Sequence, residues 1–92
     1  MRVGFYATLR KIVGTKYVEF PFSEEPALRQ VIDAVLLAYP ELSDELLDES
    51  GEFSHRIHLM VDGRSSKWLP GGLDTVVTTD QTIEFFPAVA GG

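Results

Sequence analysis

The chain has 92 residues, 45% hydrophobic and 24% charged, which bounds it to one domain around one modest core. It contains no cysteine, so disulfides, thiolate metal sites and cysteine nucleophiles are excluded within it. Fourteen acids against eight Lys and Arg leave a net charge of −6, which argues against a nucleic-acid partner and suits one with a basic docking surface.

The first element predicted is a strand over 2–9, where Val3, Phe5 and Ala7 alternate with Arg2, Gly4 and Tyr6. A turn at Gly14 and renewed alternation over 16–22 make it one arm of a hairpin. Ser23, Glu24 and Glu25 then set up a helix start, with Pro26 in the first turn. Leu28, Val31, Ile32, Val35, Leu36 and Tyr39 follow at helical spacing, and Pro40 stops the helix. The longest apolar run, 34–39, is far too short to span a bilayer, and the N-terminal segment lacks the apolar stretch of a secretion signal. A cytoplasmic location without membrane attachment is expected.

The acidic stretch 41–53 predicts a short helical turn closed by Gly51. A third strand is predicted over 55–61, with Ile57, Leu59 and Val61 inward and His58 and Met60 outward. Asp62-Gly63 is a turn signal leading to a short strand near 66–69, with Trp68 covering the sheet edge. Segment 70–75 reads as irregular. A turn at Asp80-Gln81 introduces the last strand, with Ile83 and Phe85 inward, and Pro87, which lacks an N–H, is expected to end it. The expected class is α+β: one main helix packed on one face of a mixed sheet of four to five strands. The domain occupies 1–86, and 87–92 forms a tail.

Candidate chemistry concentrates at that tail. "FFPAVAGG" (85–92) carries no charge and ends in Gly91 and Gly92, which lack a Cβ, so a narrow channel can close around their backbone. From Pro87 to Gly92 the segment reaches about 20 Å when extended. On the face away from the helix, alternation gathers Tyr6, His58, Met60 and Phe86, a set suited to a partner interface unless segment 64–72 folds over it. Other groupings are weaker. His55 and His58 point to opposite faces of a strand, so a shared metal is not expected. Asp44, Glu45, Asp48, Glu49 and Glu52 read as a solvated face, with steering of a partner as the second reading. The segment 63–67 lacks the glycine pattern of a phosphate-binding loop. No nucleophile–base pair is visible, so no activity is expected of the isolated chain.

The words "FYATLRKIVGT" (5–15), "LRQVIDAVLLAYPEL" (28–42), "VDGR" (61–64), "GGLDT" (71–75) and "FFPAVAGG" cover most of the chain. In that order they resemble the ubiquitin-like β-grasp sulfur carriers, and within them the MoaD family. The resemblance implies that the first and last strands lie parallel at the sheet centre, joined through the helix. It implies that an E1-like adenylating enzyme, using Mg·ATP, adenylates the Gly92 carboxylate while Gly91 lies in the partner's channel. The product is a thiocarboxylate that donates sulfur, with Phe86 and Pro87 near the docking contact and no cofactor bound by the chain itself. The acceptor would be the large subunit of molybdopterin synthase or another sulfur acceptor. Two features depart from the compact members: Ala88 replaces a second proline, and segments 43–56 and 65–70 are longer. They resemble an extended branch that also holds protein modifiers, which join Gly92 to target lysines. A third reading is a plain interaction module with incidental terminal glycines.

Overall fold

In the computed structural model, which describes residues 1–88, the N-terminal alternation holds only over Arg2–Phe5 (β1). Val3 and Phe5 are fully buried, but Ala7, expected inward on a longer strand, is exposed and takes φ 52°. That bend releases the chain into a helix, Thr8–Val13 (α1), because Leu9, Ile12 and Val13 are spaced for a helical face rather than for a strand. Gly14, at φ 92°, closes the helix with its N–H on the Arg10 carbonyl at 2.8 Å. Tyr17–Glu19 (β2) then returns antiparallel to β1, with Val18 opposite Val3 and Tyr17 opposite Gly4. The expected hairpin is therefore present, with a helix inside its connection.

The main helix, Leu28–Ala38 (α2), starts later than the acidic signal predicts, and Pro26 is not in its first turn. Residues 26–28 are taken up elsewhere. The Pro26 carbonyl accepts the Val77 N–H at 2.8 Å, and the Leu28 N–H donates to the Thr75 carbonyl at 3.0 Å. The Gln30 side chain accepts the Ala27 N–H at 2.8 Å and caps the start. Leu28, Val31, Ile32 and Val35 form the buried stripe. Past Pro40 a 3-10 turn, Pro40–Leu42, and a short helix, Ser43–Leu46 (α3), bury Leu42 and Leu46.

Ile57–Val61 (β3) has the predicted facing, with Ile57, Leu59 and Val61 buried and His58 exposed. Asp62 and Gly63, at φ 49° and 81°, form a two-residue turn of the kind that suits a twisted hairpin, into Arg64–Ser65 (β4). The strand expected near 66–69 is instead a 3-10 turn, Ser66–Trp68, with the Ser65 hydroxyl accepting the Lys67 N–H at 3.3 Å. Trp68 does not cover the sheet edge: it is 82% exposed, while Ser66 is buried.

The last strand, Thr82–Pro87 (β5), runs one residue beyond the expected stop at 86. Pro87 lies opposite Ile57, and the Ala88 N–H still donates to the Arg56 carbonyl at 2.6 Å. By alternation the N–H that Pro87 lacks would have faced β1, which has already ended at Phe5, so the proline breaks no ladder bond. The sheet order is β2-β1-β5-β3-β4, with β1 and β5 parallel and the other pairs antiparallel. This is the ubiquitin-like β-grasp arrangement, with the parallel pair at the centre. Its inner face packs Val3, Phe5, Leu59, Ile83 and Phe85 against α2, and the Phe5 and Phe85 rings stack at 5.6 Å. No helix among the described residues is long and apolar enough to cross a membrane.

Candidate functional site

Strand register assembles the outer face. His58 on β3 lies opposite Phe86 on β5, and Met60 lies opposite Glu84. Tyr6, just past the end of β1, lays its ring on Phe86, with centroids 4.0 Å apart and planes 16° from parallel. Tyr6, His58, Met60 and Phe86 are thus one neighbourhood at the sheet centre. His58 is exposed, and Tyr6, Met60, Phe86 and Pro87 are half-buried. Because His58 is exposed, segment 64–72 does not bury it.

Beneath the aromatic pair lies a polar cluster that the sequence reading did not name. The Tyr6 hydroxyl donates to the Glu84 carboxylate. The Tyr17 hydroxyl donates to the same oxygen at 3.4 Å and lies 3.3 Å from the Tyr6 hydroxyl. Tyr17 can lie across β1 because Gly4 has no side chain there: a Cβ on Gly4 would stand 2.8 Å from Tyr17 Cε1. The Arg2 guanidinium sits 3.8 Å above the Tyr17 ring, and Lys16 Nζ lies 5.1 Å from the Tyr6 ring centre. The bond to Glu84, then the bond to Tyr17 and the partial desolvation, push the Tyr6 phenol well above its ordinary pKa of 10.0. The alternation that placed Phe86 outward also places Glu84 outward, so that signal was present in the sequence.

The tail leaves this face at Pro87 and Ala88. Gly91 and Gly92 lie outside the described residues. Beside the exit is a groove of about 920 Å³, whose lining includes Ala7, Arg56, Pro87, Ala88, Asp44 and Asp48. The acids Asp44, Glu45, Asp48, Glu49 and Glu52 are all exposed. Asp48 also organises its own loop: one carboxylate oxygen accepts the Ser50 hydroxyl at 2.7 Å, the Ser50 N–H at 2.9 Å and the Glu52 N–H at 3.0 Å. Among the described residues no group of three His, Cys, Asp or Glu could hold a metal ion. The arrangement presents two things together: an aromatic face, and the end of the central strand, at Pro87 and Ala88, beside it.

Comparison with known proteins places this geometry. The ThiS family model matches residues 3–92. Small archaeal modifier protein 3 of Haloferax volcanii is 27% identical over 92 residues, covering 100% of this chain and 98% of that protein. The crystal structure of SAMP1 from Haloferax volcanii superposes with a TM-score of 0.85 at 21% identity, covering 99% of this chain and 97% of that one. A chain of the Amycolatopsis orientalis BexX/CysO complex gives a TM-score of 0.77 at 28% identity, covering 99% of this chain and 98% of that one.

Proposed function

This chain belongs to the ThiS family, and from that premise we propose that it is a sulfur carrier activated at the Gly92 carboxylate. The observation that carries the reading is the tail "FFPAVAGG", whose root leaves the exposed end of the central strand beside Phe86. A free carboxylate is ionised at neutral pH and is a poor acyl donor. An E1-like partner holding Mg·ATP supplies the remedy. A carboxylate oxygen attacks the α-phosphorus, pyrophosphate leaves, and the acyl-adenylate now has a good leaving group. A sulfide-level donor then attacks the carbonyl carbon, AMP departs, and a thiocarboxylate remains. The chain's own work is presentation. Phe86, Tyr6, His58 and Met60 dock the partner, Pro87 directs the exit, and Gly91 and Gly92 enter the partner's channel.

The acceptor in the first reading is a molybdopterin synthase-type large subunit, in the cytoplasm. The second reading is a protein modifier, joined through Gly92 to target lysines. It is favoured by the Haloferax modifier protein aligned along the whole chain and by the long segment 43–56. Intact-mass and peptide analysis of protein recovered from cells separates the readings. One oxygen-to-sulfur exchange at the C-terminal peptide supports the carrier, and lysine adducts ending in Gly-Gly support the modifier. A C-terminus that stays unmodified even with the adenylating enzyme, ATP and sulfide refutes both.

A further inference from the structure

Glu84 is a carboxylate set among aromatic rings, and among the described residues it forms no ion pair. The nearby cations, Arg2 and Lys16, lie over ring faces instead. The carboxylate is occupied by two phenols, Tyr17 of β2 and Tyr6 just past the end of β1. Tyr6 is therefore held at both ends of its reach: its hydroxyl on Glu84, and its ring face on Phe86 at 4.0 Å. A ring tethered at its far end and stacked on its face cannot swing without breaking the bond and the stack together. The same hydrogen bond to Glu84 is the largest cause of the raised Tyr6 pKa.

We infer that Glu84 is a positioning residue for docking, fixing the Tyr6 ring so that Phe86 is held in one orientation at the root of the tail before any partner arrives. This rests on the docking-face reading above. Side chains already ordered in the free protein lose little further freedom on binding, so the relay acts on affinity and not on the chemistry at Gly92.

The test is ATP–pyrophosphate exchange by the recombinant adenylating enzyme of the same organism, with the carrier concentration varied. Glu84→Ala and Tyr6→Phe are each expected to raise KM about three- to tenfold with kcat unchanged, the range for re-ordering one or two side chains on binding. The double variant should be no worse than either single one, because both remove the same bond. Glu84→Gln keeps an acceptor for the Tyr6 hydroxyl and should retain the wild-type KM. Additive losses in the double variant, or a Glu84→Gln as damaging as Glu84→Ala, overturn the relay and make Glu84 a direct contact for a partner cation.

Phe86→Ala separates the two levels. If it raises KM while Glu84→Ala does not, only the relay fails. If Phe86→Ala leaves KM unchanged, the docking face fails and the relay with it. A readout on the free protein completes the test. Loss of Tyr6–Phe86 proton contacts in the NMR spectrum of folded Glu84→Ala is expected, and their full retention overturns the inference.

Discussion

Phe85 and Phe86 are sequence neighbours with opposite attachments: Phe85 stacks on Phe5 in the core at 5.6 Å, and Phe86 stacks on Tyr6 on the outer face at 4.0 Å. Phe85 is fully buried and also meets the edge of Phe53 at 6.3 Å. Phe85→Ala should therefore destabilise the fold by about 3–5 kcal/mol, the range for emptying a buried aromatic site. Phe86→Ala should leave most of the stability in place and weaken binding to the adenylating enzyme by ~1–3 kcal/mol, as loss of an interface anchor does. Denaturant unfolding and titration calorimetry measure the two effects. Exchanged outcomes would mean that the docking surface lies elsewhere.

Tyr6 should ionise at higher pH than an ordinary tyrosine. Its folded pKa is raised above the ordinary 10.0, first by the hydrogen bond to Glu84, so the unfolded chain loses this proton before the folded one does. The stabilisation linked to Tyr6 is therefore intact below pH 10.0 and is lost as pH climbs towards the folded value. Tyrosinate absorbance should show a late-titrating phenol that Tyr6→Phe removes. Melting curves on either side of pH 10.0 should converge for the two proteins as pH rises.

Gly4→Ala should disturb the cluster from below. The new Cβ would stand 2.8 Å from Tyr17 Cε1 and 3.3 Å from Glu84 Cγ, so the Tyr17 ring must move off β1. A loss of ~1–3 kcal/mol is expected from such overpacking. Chemical denaturation checks the magnitude, and a shifted Tyr17 ring signal checks the cause.

Asp48→Ala should loosen the loop at the rim of the tail-exit groove. The Asp48 carboxyl is held below its ordinary 3.8, chiefly by the Ser50 hydroxyl, which outweighs an opposing desolvation with help from the Glu52 and Ser50 amides. A depressed folded pKa means that its stabilisation is present above pH 3.8 and disappears as pH falls through the folded value. Hydrogen exchange at the Ser50 and Glu52 amides should quicken in the variant at neutral pH. It should differ little between the two proteins once Asp48 is protonated.

Deleting Gly92 should abolish adenylation without changing the melting temperature, because the described strand ends at Pro87. The shortened chain stops one residue, about 3.4 Å, short of the reacting phosphate. Misplacement on that scale removes catalysis by orders of magnitude. Full pyrophosphate exchange by the shortened chain would refute activation at Gly92.

Much of this was legible in the sequence, wherever the signal is local. Alternation at 57–61 and 82–86 sorted Ile57, Leu59, Ile83 and Phe85 inward and His58, Met60 and Phe86 outward, because side-chain direction along a strand has a period of two. The stripe Leu28, Val31, Ile32 and Val35 identified the main helix by its own period. Asp62-Gly63 announced its turn, since both residues adopt positive φ there. Where two periodicities overlap, the reading slipped. Residues 8–13 follow an alternating stretch yet carry Leu9, Ile12 and Val13 at helical spacing, and burial of Leu9 decided for the helix.

What only the tertiary structure decided are the features that join distant segments. The start of α2 was set by backbone bonds from residues 26–28 to 75–77, which no capping signal near Ser23 can announce. Pro87 stayed in its strand because β1 ends before reaching it, a fact about the neighbouring strand rather than about proline. Tyr17 lies on β2, Glu84 on β5 and Tyr6 just past the end of β1, and each reads alone as an ordinary surface residue. Their convergence depends on pair register, Gly4 opposite Tyr17 on one side and opposite Glu84 on the other. Alternation tells which face a side chain takes, but a shift of register between strands preserves each strand's pattern while changing every neighbour. The face was therefore written in the sequence, and the contacts on it were decided by how the strands align.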